Sequence, residues 1–372
     1  MKAIAVFPDR KELALIEHER PRLEHADDVL LRVLDVGVCG TDKEICAFDY
    51  GTPPAGSPYL VIGHECLAEV AEVGPEVEGL EPGDLVVPSV RRPCGVPTCA
   101  ACREGRQDFC FTGRFTERGI KERHGFMTEL LVDRAGTLSR VPRELRDLAV
   151  LVEPLTIAEK ALQQVWQMQS RLPWTCDPSS GGRGGCHRAV VLGAGPVGLL
   201  GAMALRNAGF DTTVYSRELA PNPRAELLAS IGVRYVSSQT HDVLQLAQEL
   251  GTIDLVYEAV GASGLAFEML RALGPNGIFV FTGVPGRKGP IEVDTDRLMR
   301  DLVLKNQAVF GSVNADRSCF DAAVRDLLEF QRRWPKAVQG LITGRYPRES
   351  YRDLLLGKPG GIKNVLAFSE AR

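Results

Sequence analysis

The chain has 372 residues, enough for two or three domains, and 44% of them are hydrophobic, enough for a substantial core. Charged residues make up 25% and the net charge is −4 with no long block of one sign, which argues against a general nucleic-acid binder. No apolar run approaches the roughly 20 residues of a membrane span. The opening Met1-Lys2-Ala3-Ile4-Ala5-Val6-Phe7 reads as a short strand and not as a signal peptide, so the expected location is cytoplasmic.

Residues 1 to about 155 read as short strands separated by glycine and proline. Val29 to Val36 is a strand ending at Gly37, Glu69 to Val73 alternates and stops at Gly74, and Asp84 to Pro88 follows the turn Glu81-Pro82-Gly83. Such a pattern predicts an antiparallel barrel or sandwich. Thr156 to Met168 reads as a helix, and the Gly/Ser-rich Asp177 to Gly185 as a connecting loop. Strands and helices then alternate. Ala189–Leu192, Thr212–Tyr215, Ile253–Ala259 and Gly277–Phe281 read as strands; Val197–Ala208, Ala225–Ile231 and Leu265–Leu273 read as helices. This predicts a parallel sheet covered on both faces. After about 310 the pattern is mixed and reads as a return to the first domain. The expected division is 1–187 completed by 310–372, with 188–309 as a dinucleotide-binding domain.

Gly193-Ala194-Gly195-Pro196-Val197-Gly198 matches G-x-G-x-x-G after a strand and at the start of a helix. In that setting the first glycine permits the turn, the second admits a pyrophosphate and the third lets helix and strand pack closely. The helix start offers free N–H groups to the anion. Gly193, Gly195, Pro196, Val197 and Gly198 are therefore candidate cofactor contacts. About 20 residues on, where an acid would hold the ribose of NAD, stand Ser216 and Arg217. A hydroxyl and a guanidinium suit a 2′-phosphate, so NADP is the expected cofactor with NAD as a second acceptor.

Of ten cysteines, Cys94, Cys99, Cys102 and Cys110 form C-x4-C-x2-C-x7-C, a spacing that can close a structural zinc site. Cys46, Cys66, Cys176, Cys186 and Cys319 share no such spacing and read as ordinary small residues. A catalytic zinc needs fewer protein ligands and an open position. Candidate fragments are Gly37-Val38-Cys39-Gly40-Thr41-Asp42, Gly63-His64-Glu65 and Val152-Glu153-Pro154-Leu155.

Taken in order, these fragments, the four-cysteine lobe and the Gly193 loop resemble the zinc-containing medium-chain dehydrogenase/reductase family over nearly the whole chain. Val90-Arg91-Arg92-Pro93, Gly105-Arg106-Gln107-Asp108-Phe109-Cys110, Gly125-Phe126-Met127, Pro173-Trp174-Thr175-Cys176-Asp177 and Gly311-Ser312-Val313-Asn314 resemble its archaeal glucose dehydrogenase branch. The resemblance implies an α/β chain with a GroES-like β-barrel catalytic domain and a Rossmann doubly wound parallel-sheet domain. It implies catalytic zinc held by Cys39, His64 and Glu153, with Glu65 as an alternating or neighbouring ligand, beside the structural zinc of the lobe. Glu117 and Asn314 match positions that contact sugar or nicotinamide. The implied reaction is oxidation of an aldose, D-glucose at C1 to the lactone, with hydride passing to NAD(P); Thr41, two residues after Cys39, is the candidate to relay the released proton through its hydroxyl. A homodimer or homotetramer is the implied assembly. Val90 and Ile157 suit a less polar ligand, so a polyol, threonine or simple alcohol dehydrogenase is the alternative. A non-catalytic dinucleotide-binding protein is the alternative from another class.

Overall fold

The computed structural model describes residues 1–177, 179, 181–286 and 289–369. They form two compact units, Met1–Thr156 with Asn314–Leu328 and Leu341–Arg372, and Ile157–Val313 with Glu329–Gly340. No helix among the described residues is long and apolar enough to cross a membrane.

The first unit is built around the strand Asp28–Gly37. Its residues are buried on both faces, which is why the sequence there is apolar almost without alternation. On one side it pairs with Glu65–Val73, which leads on to Leu85–Pro88 and Leu138–Val141; on the other it pairs with the C-terminal strand Lys363–Ala367. Leu130–Arg134 pairs with it as well, and all of these ladders are antiparallel. Ile4, Leu31, Val33, Ile62, Val86, Phe126 and Leu366 share the core that this curved sheet encloses. A small sheet of Arg91–Arg92, Thr116–Arg118 and Glu122–Arg123 places Arg91 opposite Glu117.

Asp133 is buried beside two cations of this unit. Arg92 donates through Nε to Oδ1 at 3.3 Å and Arg118 through Nε to Oδ2 at 3.2 Å. Burial alone would push the Asp133 pKa up, but Arg118 and Arg92 outweigh it and hold the carboxyl well below the ordinary range. A depressed folded-state pKa gives stabilisation that is complete above the ordinary aspartate value near ~4 and is lost as pH falls through the folded value. Asp133→Asn should therefore cost about 3–5 kcal/mol in urea unfolding at neutral pH. The gap to wild type should close in acid; a gap that does not change with pH would contradict this account.

The second unit carries a six-stranded parallel sheet. Its order is Arg234–Ser237, Asp211–Ser216, Arg188–Leu192, Ile253–Glu258, Leu273–Phe281, Ala308–Gly311. The chain thus starts at the third position, runs outward, then crosses back, which is the doubly wound dinucleotide-binding order. Val190, Leu192, Val256, Phe279 and Met269 form its core.

The division between units falls at Thr156, earlier than the 187 expected from the sequence. The reason is the helix Val152–Gln169, longer than the pattern suggested. Its Ala158, Ala161, Leu162 and Val165 line a small apolar cavity with Gly201, Leu205, Leu255 and Tyr257, so this part of it packs as a layer on the parallel sheet. The loop between 177 and 185 is turn-like where described, while Pro178 and Ser180 lie outside the described residues. Reading Cys176 and Cys186 as ordinary small residues is corrected: the loop brings their sulfurs together in a disulfide.

Candidate active site

Cys39 caps the short helix Gly40–Cys46, and Asp42 at its third position accepts from the Cys39 backbone N–H at 2.9 Å. Thr41 sits half-buried in the first turn of that helix. His64 and Glu65 stand where the chain turns into the strand Glu65–Val73. Ligand atoms of Cys39, His64 and Glu65 lie within 4.8 Å of one another. Glu153, in the first turn of Val152–Gln169, is outside that cluster but within its electrostatic reach. Burial pushes the Glu153 carboxyl up to about 7, with His64 opposing the rise and Glu65 adding to it.

Asp42 is completely buried, and its Oδ1 faces His64 Nδ1 at 3.3 Å with neither atom in a formed hydrogen bond. Burial disfavours a charged imidazole, yet Asp42 and Cys39 hold the His64 pKa well above its ordinary value. A thiol, an imidazole and a carboxylate converge here, with a further carboxylate behind the imidazole. This is the donor set of a divalent cation site, with the carboxylate orienting the ring. The residues fit zinc.

Sequence reasoning did not foresee Lys363. Its buried ammonium donates to both Glu65 oxygens, at 2.7 and 2.5 Å, and to the Val38 carbonyl at 3.2 Å. The register explains the meeting. Gly37 has Glu65 as its partner on one side and Val365 on the other. A Cβ on Gly37 would stand 2.1 Å from Glu65 Oε2, so only glycine leaves room for the carboxylate. No spacing in the sequence links Lys363 to Glu65. Asp42 was detectable, because an acid three residues after a cap is the capping-box pattern.

Cys94, Cys99, Cys102 and Cys110 place their sulfurs within 4.8 Å of one another, all four unbonded to another sulfur. Cys94 N–H points at Cys102 Sγ at 3.5 Å, and Cys99 Sγ stands 4.0 Å from Cys110 Sγ. Four thiols at this separation suit a closed tetrahedral zinc site.

Glu117 and Asn314 are brought together. Glu117 Oε1 accepts from Arg91 Nε at 3.0 Å, Arg91 Nη2 at 2.9 Å and Asn314 Nδ2 at 2.8 Å. Arg91 is fixed in turn by the Asp108 carbonyl at 3.0 Å and by the Phe115 ring at 3.7 Å. This is a pre-ordered polar cluster of the kind that recognises hydroxyl groups.

In the parallel-sheet unit, the strand Arg188–Leu192 ends at Gly193, whose φ is +100°, and the helix Pro196–Asn207 begins after Gly195. Pro196 and Val197 open that helix. A Cβ on Gly198 would stand 2.2 Å from the Gly193 carbonyl oxygen, so helix and loop touch at backbone distance. Ser216 ends its strand half-buried and Arg217 follows exposed. The Arg217 carbonyl accepts from Ser237 Oγ at 3.2 Å and Gln239 Nε2 at 2.8 Å. Its guanidinium makes no ion pair among the described residues. Glu258, at the end of the neighbouring strand, accepts from the backbone N–H groups of Val260, Gly261 and Gly283 at 2.8, 2.7 and 3.1 Å.

The alcohol dehydrogenase GroES-like domain family matches residues 25–143, and the glucose dehydrogenase C-terminus family matches residues 146–368. The chain belongs to the glucose dehydrogenase branch of the zinc-containing medium-chain dehydrogenases. A glucose 1-dehydrogenase of Methanocella arvoryzae is 38% identical over 364 residues, covering 98% of each chain. That of Thermoproteus tenax is 40% identical over 370 residues, covering 98% of this chain and 99% of its own. Among solved structures, Haloferax mediterranei glucose dehydrogenase in complex with NADP, Zn and gluconolactone superposes with a TM-score of 0.88. It is 33% identical, and the match covers 100% of both chains. The GroES-like unit and the Rossmann sheet are thus the family's own architecture.

Proposed function

We propose that this chain oxidises D-glucose at C1 to the lactone, passing hydride to NADP and, as a second acceptor, NAD. The convergence of Cys39, His64 and Glu65 within 4.8 Å carries the reading. Zinc held by Cys39, His64 and Glu65 or Glu153 supplies a Lewis acid that acidifies the sugar hydroxyl. NADP supplies the hydride acceptor. The chain's own residues do the rest. Asp42 fixes the plane of the His64 ring, and Lys363 holds Glu65 by charge. Glu117, set by Arg91 and Asn314, offers an acceptor to sugar hydroxyls; Asn314 also stands ready for the nicotinamide. Thr41 relays the released proton through its hydroxyl. Thr41→Ala should slow turnover about 100-fold and shift its pH profile, as loss of a proton relay does; an unchanged pH–rate profile would remove Thr41 from the relay.

Gly193, Gly195, Pro196, Val197 and Gly198 cradle the pyrophosphate, and Ser216 and Arg217 face the 2′-phosphate. Arg217→Ala should raise KM for NADP about 10–100-fold and leave NAD nearly unaffected, since a charge-assisted contact is worth about 1.5–3 kcal/mol and each 1.4 kcal/mol is tenfold. Equal losses for both cofactors would return Arg217 to the solvent. Cys94, Cys99, Cys102 and Cys110 hold the structural zinc. The test of the whole reading is a panel of aldoses, polyols and simple alcohols with each cofactor on zinc-replete protein. Turnover with glucose and its epimers is expected; turnover with polyols or alcohols alone would replace the sugar assignment.

We further propose a homodimer, or a tetramer built from it, in the cytoplasm. Support comes from the strand Ala308–Gly311, whose outer edge pairs with no strand among the described residues, and from Met299, Val303 and Leu304 on the helix Thr295–Leu304, exposed by 64%, 69% and 65%. Eight free cysteines suit a reducing compartment. Sedimentation of the purified protein as a monomer would overturn the assembly.

A further inference from the structure

Cys176, Cys186 and His187 form a third group of metal-competent side chains, all in the parallel-sheet unit, with ligand atoms within 4.8 Å of one another. The mechanism uses none of them. Cys186 N–H donates to Cys176 Sγ at 3.0 Å, and Cys186 Sγ lies 3.8 Å from His187 Nε2. The imidazole has neighbours on one ring face and at both nitrogens. Its ring stacks on Trp174 with centroids 4.0 Å apart and planes at 20°. Its Nδ1 faces Asp254 Oδ1 at 3.8 Å. Asp254 is itself anchored, accepting from the Arg188 backbone N–H at 2.8 Å. His187 is nearly buried, while Cys186 is exposed.

Thiol, thiol and imidazole, with a carboxylate behind the second ring nitrogen, is the arrangement that orients a histidine toward a soft divalent cation. The stacking on Trp174 fixes the ring plane before any ion arrives, so little order remains to be imposed on binding. The exposed side of Cys186 leaves a coordination position to solvent.

We propose that, with the Cys176–Cys186 bond reduced, Cys176, Cys186 and His187 bind one zinc ion, and that the disulfide and the ion are mutually exclusive occupants of this corner. The same two sulfurs serve both states. Cleaving the bond takes two electrons and two protons, both from a dithiol that becomes a disulfide, or the electrons from a phosphine that becomes its oxide and the protons from the water whose oxygen it takes. Zinc then displaces the two thiol protons. Cys176 and Cys186 are tied to each other in either state, directly in one and through the ion in the other.

The experiment counts zinc in the full-length protein. Reduced wild type, dialysed against buffered zinc, should hold one equivalent more than Cys176→Ser/Cys186→Ser. It should lose that equivalent when the pair is reoxidised and regain it on reduction. His187→Asn should lose it as well. A second readout needs no variant: zinc should shield Cys176 and Cys186 from iodoacetamide in the reduced wild-type protein, seen by peptide mass spectrometry. Equal zinc in reduced wild type and the double variant, or alkylation at Cys176 and Cys186 unaffected by zinc, would overturn the proposal. So would full retention of the extra ion by His187→Asn. These readouts are independent of turnover, so they stand or fall apart from the dehydrogenase reading.

Discussion

Lys363→Met should lower stability by about 3–5 kcal/mol, the cost of leaving one partner of a buried ion pair uncompensated. It should also lower turnover by about 10–100-fold, the usual loss when a group that positions a metal ligand is removed. Both side chains are buried, at 2% and 1% exposure, so water cannot replace the ammonium. Among the described residues the carboxylate has no other hydrogen-bond donor, and Gly37 opposite it brings no side chain. Lys363→Met should therefore let Glu65 leave the Cys39–His64 cluster. Combining it with Glu65→Gln separates the two effects. The double variant should recover most of the stability, because neither charge remains, and should stay slow in turnover. Urea unfolding and steady-state kinetics measure the two. If the single variant were as stable as wild type, the ion pair would be a bystander.

Gly198→Ala should weaken NADP binding by about 10–100-fold, since overpacking a filled site costs roughly 1–3 kcal/mol and each 1.4 kcal/mol is tenfold. The added methyl would meet the Gly193 carbonyl at 2.2 Å, and that obstacle is backbone, not the end of a flexible side chain. The loop must therefore move away from the helix start, and the N–H groups that face the pyrophosphate move with it. The zinc of the Cys39–His64 site and of the four-cysteine lobe should not change, because those ligands lie in the other unit. NADPH fluorescence titration with metal analysis distinguishes the outcomes. Unaltered affinity would mean that the third glycine of the loop serves folding alone.

Much of this protein is readable along the chain because local physics writes it there. The doubly wound sheet is announced by apolar runs such as Ala189–Leu192 and Ile253–Glu258, which are continuous because helices cover both faces. The Gly193 loop is legible because backbone approach excludes side chains at fixed offsets. The four-cysteine lobe is legible because its ligands come from one short segment. What spacing cannot convey is contact across sheet register. Lys363 meets Glu65 across 298 residues, and Asn314 meets Glu117 across 197. The C-terminal strand could have slid along Asp28–Gly37 without altering its own pattern; only packing of Leu366 and its neighbours in the barrel core selects the register that puts an ammonium beside the carboxylate. Cys176 and Cys186 looked unremarkable because no spacing announces their meeting; their sulfurs are joined next to the stacked rings of Trp174 and His187.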